Sequence, residues 1–91
     1  MSYALDIADE AVEDLTQLLD SLPEARRADA EDAIEAVLMA FAALPMRDRA
    51  KHRYCPVHFT AGGTRYYWGA TYCYTPDETT LVITHLYRTS F

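Results

Sequence analysis

The period of apolar and polar positions changes twice along this chain. Tyr3, Leu5 and Ile7 alternate with Ala4 and Asp6, the period-two signature of a half-buried strand. From Asp9 the apolar residues recur at helical spacing, and Ala11, Val12, Leu15, Leu18, Leu19 and Leu22 form one stripe. Asp9 is the expected N-cap, and Glu10, Glu13 and Asp14 put negative charge at the positive end of the helix dipole. Ser21-Leu22-Pro23-Glu24 reads as a stop and a restart, because Ser21 and Glu24 have capping-box spacing and proline is tolerated in a first turn. A second helix is predicted from about Glu24 to Leu44. Its buried face is Ala30, Ala33, Ile34, Val37, Leu38, Phe41 and Leu44, with Arg26, Arg27, Asp29, Glu31, Asp32 and Glu35 toward water. Pro45 closes it, and so short a connection makes the two helices an antiparallel hairpin.

Met46–Arg53 has no clear period and is expected to be a loop. Beyond it the period returns to two. Tyr54–Phe59 reads as a strand with Cys55, Val57 and Phe59 on one face, and Pro56 marks it as an edge. Ala61-Gly62-Gly63-Thr64 supplies the positive-φ positions of a hairpin turn. Arg65–Tyr74 is a long aromatic strand in which Gly69 signals a bulge or a close approach. Thr75-Pro76-Asp77-Glu78 turns the chain again. Thr79–Arg88 closes it, with Leu81, Ile83, His85 and Tyr87 on one face and Val82, Thr84, Leu86 and Arg88 on the other. The fold class is therefore α+β, in the order β-α-α-β-β-β. The helical hairpin is expected to pack on one face of a mainly antiparallel four-stranded sheet, as a single domain over residues 1–91.

Length and composition narrow the class of protein. Ninety-one residues, 51% of them hydrophobic, suffice for one core and no second. No window approaches the ~20 apolar residues of a membrane span, and the first residues lack the basic and apolar regions of a signal peptide. A soluble, cytoplasmic protein is the expectation. Cys55 and Cys73 are expected to be small buried thiols. They and the three histidines lack the paired spacing of metal ligands, so neither metal nor cofactor is expected.

The net charge of −6 conceals a division. Residues 1–46 carry eleven acids against Arg26 and Arg27, and residues 47–91 carry six bases against three acids. All three histidines and six of the seven tyrosines also lie in the second half. Clustered arginine, histidine and tyrosine suit phosphate and bases, whereas acidic helices and tyrosine-rich strands also arise simply as two solvated surfaces. Tyr66, Tyr67, Trp68, Tyr72 and Tyr74 are candidates for base stacking or for ordinary strand packing. Arg47, Arg49, Lys51 and Arg53, with His52, form a basic loop able to meet RNA phosphates or an acidic protein segment.

Four features carry a resemblance to a known family. The first strand runs into Ala8-Asp9-Glu10-Ala11-Val12-Glu13-Asp14-Leu15; Pro45 follows the long helix; Gly63-Thr64-Arg65 enters the third strand; and Leu81–Arg88 ends in a basic residue. In this order the chain resembles the RelE/ParE superfamily of bacterial toxins from type II toxin–antitoxin systems. The resemblance implies growth inhibition and a cognate antitoxin protein as partner. It implies either a metal-independent endoribonuclease that cuts mRNA on the ribosome, or a poison of DNA gyrase without nuclease chemistry. A binding module that keeps the fold without toxin chemistry is the alternative. For RNA cleavage the residues carried over are Arg65, Arg88 and His58, with His85 and Tyr87 completing the candidate catalytic set. Arginines would stabilise the charged phosphorane, and histidine titrates in the range useful to an acid or base.

Overall fold

A computed structural model describes residues 4–89, so Tyr3 lies outside the described residues. The elements are β1 (Ala4–Ile7), α1 (Asp9–Asp20), α2 (Glu24–Ala43), α3 (Met46–Arg49), β2 (Cys55–Ala61), β3 (Thr64–Tyr74) and β4 (Thr80–Arg88). The α+β class and the order of the strands and long helices follow the sequence expectation. The segment expected to be a loop contains one short helix, α3.

The four strands form one sheet in the order β1-β4-β3-β2. The β2–β3 and β3–β4 pairs are antiparallel, but β1 runs parallel to β4, with Leu5 opposite Leu81 and Ile7 opposite Ile83. The sheet is therefore mixed, not mainly antiparallel as the pattern suggested. The reason lies in the path of α1. Ala8 donates its backbone N–H to Ile83, Asp14 accepts from the Leu86 N–H at 3.1 Å, and Ser21 meets Arg88. The β1–α1 segment thus keeps one direction along β4, α2 makes the single return, and the chain enters β2 from the side on which β1 began, past Tyr72 of β3. A meander from that end brings β4 back parallel to β1.

Between helices and sheet lies one core. Ala11, Leu22, Ala30, Ile34, Leu38 and Phe41 meet Cys55, Val57, Phe59, Trp68, Ala70, Leu81, Ile83 and Leu86. The predicted stripe of α2 is buried or half-buried throughout, but Val12 of the α1 stripe is 47% exposed. Cap residues also differ from expectation. Ala8 precedes α1 and Pro23 precedes α2, neither with a side-chain cap, while Ser21 ends α1 and donates its hydroxyl to the Leu18 carbonyl.

Neither long helix has a basic residue in its last turn. Each instead receives an arginine from the element that follows. Arg27 donates to the carbonyls of Leu19, Leu22 and Asp20, and Arg49 donates to those of Ala42 and Leu44. Both satisfy acceptors that a helix C-terminus leaves open and oppose its partial negative charge. Arg26 and Arg27 are accordingly half-buried, not solvated.

A bulge between Thr71 and Tyr72 corrects the expected faces of β4. Thr71 pairs with His85 but Tyr72 pairs with Ile83, so Thr84 is passed over. Leu81 and Ile83 face the helices before the bulge, and Leu86 does so after it. Unbroken alternation put Leu86 on the opposite face, and the extra residue reverses the parity. Gly69, two positions earlier, marks a close approach: an added Cβ would come within 2.9 Å of the Tyr87 ring. Pro56 does lie on an edge strand, and Gly62 and Gly63 both take positive φ, 57° and 78°, as a two-residue hairpin turn demands.

Candidate functional site

The helices cover one face of the sheet and leave the other open. That turn fixes the β2–β3 register, placing Thr60 opposite Arg65 and His58 opposite Tyr67. All four side chains therefore project from the open face. The His58 and Tyr67 rings meet edge to face at 5.1 Å, and the Arg65 guanidinium lies 6.0 Å above the Tyr67 ring centre. Arg65 also donates to the Thr60 hydroxyl at 3.3 Å. Tyr87 joins them from β4, lying across Gly69.

Arg88 pairs with Trp68 and so starts from the helix-side face, at the last position of β4. Its guanidinium donates to the hydroxyl of Ser21 in the α1–α2 connection. Arg65 and Arg88 nevertheless meet: both line a cleft of about 340 Å3, with Ser21, Pro23, Tyr67 and Thr89 among its other walls. The cleft thus offers two exposed guanidinium groups and several hydroxyls, with His58 against the Tyr67 wall. Such a set suits a phosphate diester, which takes charge-assisted hydrogen bonds from arginine.

The remaining candidates go elsewhere. His85 is exposed on β4 with its Nδ1 3.3 Å from the Asp14 carboxylate, and neither it nor His58 nor Tyr87 is among the residues that line the cleft. The predicted RNA-binding loop lies at the opposite end of the sheet. Its anchor is Tyr72, whose hydroxyl donates to the His52 carbonyl at 2.8 Å. Five positions of β2 separate Cys55, where that loop ends, from Thr60 opposite Arg65, about 17 Å at strand spacing. Arg47 and Lys51 are exposed there and flank Asp48, and Arg53 is exposed as well.

Arg49 is a correction to the expected RNA-binding set. It is 0% exposed. Its Nε donates to the Tyr74 hydroxyl at 2.9 Å, the guanidinium lies 5.6 Å from the Tyr74 ring centre, Nη1 serves the carbonyls at the end of α2 and Nη2 faces the Met46 sulfur at 3.8 Å. A guanidinium so occupied is a strut between helix and sheet, withdrawn from any nucleic acid. The aromatic candidates divide in the same manner. Tyr66, Trp68, Tyr72 and Tyr74 belong to the covered face and pack on the core; Tyr67 alone of the five is well exposed, at 47%.

Sequence reasoning missed Ser21, Thr60 and Thr89 near the two arginines. The usable signal for Thr60 was its symmetry with Arg65 about the Gly62-Gly63 turn; nothing in the sequence marks Ser21 as a neighbour of Arg88. Burial pushes the Tyr87 hydroxyl above its ordinary range, and Tyr54 and Cys55 nearby add to this, so Tyr87 keeps its proton at neutral pH. Burial pushes the Cys55 thiol up to about 12, which makes it inert as a nucleophile. Cys73 departs from expectation because it is exposed. Among the described residues no three His, Cys, Asp or Glu side chains converge to hold a metal ion, and no helix is long and apolar enough to cross a membrane. No protein-family model, curated protein or solved structure matches the chain.

Proposed function

We propose that this protein is the toxin of a type II toxin–antitoxin pair and acts as a metal-independent endoribonuclease on mRNA, one of the two activities that the resemblance to the RelE/ParE superfamily implies. The observation that carries this reading is the meeting of Arg65 and Arg88 on one cleft, with His58 against the Tyr67 wall. In the proposed reaction His58 takes the proton from a ribose 2′-hydroxyl, whose oxygen attacks the adjacent phosphorus. Arg65 and Arg88 neutralise the charge that gathers on the non-bridging oxygens. The bond to the 5′-oxygen breaks, and Tyr87 supplies the proton this leaving group needs. The products are a 2′,3′-cyclic phosphate and a free 5′-hydroxyl.

A second reading, a toxin that binds gyrase or another protein without cleavage, is favoured by the net charge of −6 and by the burial of Arg49, which reduces the cationic surface. One experiment decides between them: controlled expression in a bacterial host, with growth recorded and transcript 5′ ends mapped. Growth arrest with new 5′-hydroxyl ends, lost in Arg65→Ala and Arg88→Ala, supports cleavage. Arrest with intact transcripts transfers the reading to a protein target, and unimpaired growth with folded protein present rejects toxicity.

A further inference from the structure

A second concavity, larger than the cleft, lies away from it. It is a groove of about 560 Å3 between β1 and α2, floored by Leu15, Ile34 and Leu38. Leu5, Asp6 and Ile7 all line it in succession. Consecutive strand residues point to opposite faces, so the groove must straddle the edge of β1. That edge is open, because β1 is the terminal strand of the sheet. Ala4 and Ala8 direct their N–H groups to β4, so Leu5 and Ile7 direct theirs outward. The Ile7 N–H is held by the Asp6 carboxylate at 2.9 Å, a side chain standing in for a missing strand.

The rim is acidic. Glu31 and Glu35 line the groove from α2, and none of Asp6, Glu31 and Glu35 forms an ion pair with a cation of the described residues. The only cations of the acidic half are committed elsewhere, Arg26 to the Tyr66 hydroxyl and Arg27 to the end of α1.

We infer that this groove docks an extended segment of a partner protein in which apolar residues alternate with lysine or arginine, pairing as a further strand along β1. Backbone hydrogen bonds to Leu5 and Ile7 give the affinity, and the apolar floor takes alternate side chains. The acids select. A cation on the incoming strand draws the Asp6 carboxylate off the Ile7 N–H and so opens the edge, whereas a neutral or acidic segment leaves it guarded. The inference goes beyond the RNA reading and does not depend on it.

The test uses a fluorescein-labelled decapeptide of alternating lysine and valine, with a glutamate–valine decapeptide for comparison. The basic probe is expected to bind saturably and to slow hydrogen exchange at the Leu5 and Ile7 amides. Joint Glu31→Lys and Glu35→Lys substitution should weaken it about tenfold or more, while Glu10→Lys with Glu13→Lys, the same charge change on α1, should not. Equal weakening by both pairs, equal binding of the acidic probe, or unchanged exchange at Leu5 and Ile7 overturns the proposal. So does a dimer of the free chain that Glu31→Lys dissociates, since the groove would then be filled by a second copy. Growth and transcript ends read the nuclease proposal separately from all of these.

Discussion

The two ends of the sheet use arginine in opposite ways. At the α3 end, Arg49 is enclosed and its donors are divided among Tyr74, the last carbonyls of α2 and the Met46 sulfur. At the cleft end, Arg65 and Arg88 are exposed and each makes a hydrogen bond to a single hydroxyl, Thr60 and Ser21. All three come from the basic half of the chain, and composition does not distinguish them. What separates them is the number of acceptors the fold supplies. A guanidinium surrounded by carbonyls is consumed by structure, and one that meets a lone hydroxyl retains donors for a ligand.

Replacing Arg49 should break the comparison most severely. Arg49→Met fills the space but abandons the carbonyls of Ala42 and Leu44 and the Tyr74 hydroxyl inside the protein. The expected loss is about 3–5 kcal/mol, a large part of the stability of a domain this size. Arg49→Lys keeps the charge without the planar fork and should recover only part of it. Urea unfolding monitored by circular dichroism measures both. A change below about 0.5 kcal/mol for Arg49→Met would mean that the buried guanidinium is no strut and that the two ends do not differ in kind.

This contrast also marks how far the sequence could be read. Periodicity located the four strands and both long helices, because burial of one face leaves a trace in every second or every third and fourth residue. The Gly62-Gly63 turn was legible because only a positive-φ turn needs two such residues, and it fixed the register that puts Thr60 opposite Arg65 and His58 opposite Tyr67. Three things left no local trace. The parallel β1–β4 pair depends on α1 continuing along β4, a matter of path. The bulge at Thr71 reverses the faces of β4 without any change in residue type, since Thr84 and His85 are ordinary strand residues. Arg49 reads as one more member of a basic run, since its acceptors lie five to seven residues upstream and on a different strand. Arg65 and Arg88 were therefore legible as candidates, and their meeting on one cleft was not.

A matched pair of tyrosines sharpens the comparison at smaller cost. Arg49 Nε donates to the Tyr74 hydroxyl at 2.9 Å, and Arg26 donates to the Tyr66 hydroxyl at 3.0 Å beside the cleft. The geometries are nearly equal, but Arg49 is enclosed and Arg26 is half-buried. Tyr74→Phe strands a donor that has no access to water and should cost about 1.5–3 kcal/mol. Tyr66→Phe leaves a guanidinium that can turn to solvent and should cost about 0.5–1 kcal/mol. Equal losses in parallel urea titrations would show that burial does not set the difference between the two ends.

The smallest stability change is expected at the cleft itself. Arg65→Ala and Arg88→Ala remove exposed side chains whose hydroxyl partners can bond to water instead, so each should leave the unfolding free energy within about 0.5 kcal/mol of the parent. Their effect should appear in binding. If each arginine meets one phosphate of single-stranded RNA, the salt dependence of affinity should flatten by about 0.7 per arginine removed, and by about twice that in the double variant. Fluorescence anisotropy of a short labelled RNA across a salt series measures the slope, and the same samples yield the unfolding curves. An unchanged slope with intact stability would leave both arginines without a role in RNA binding. A loss of stability near that of Arg49→Met would place them with Arg49 as supports of the fold. Only a flat stability with a reduced slope keeps the two ends of the sheet distinct, one closed around its arginine and the other open to a ligand.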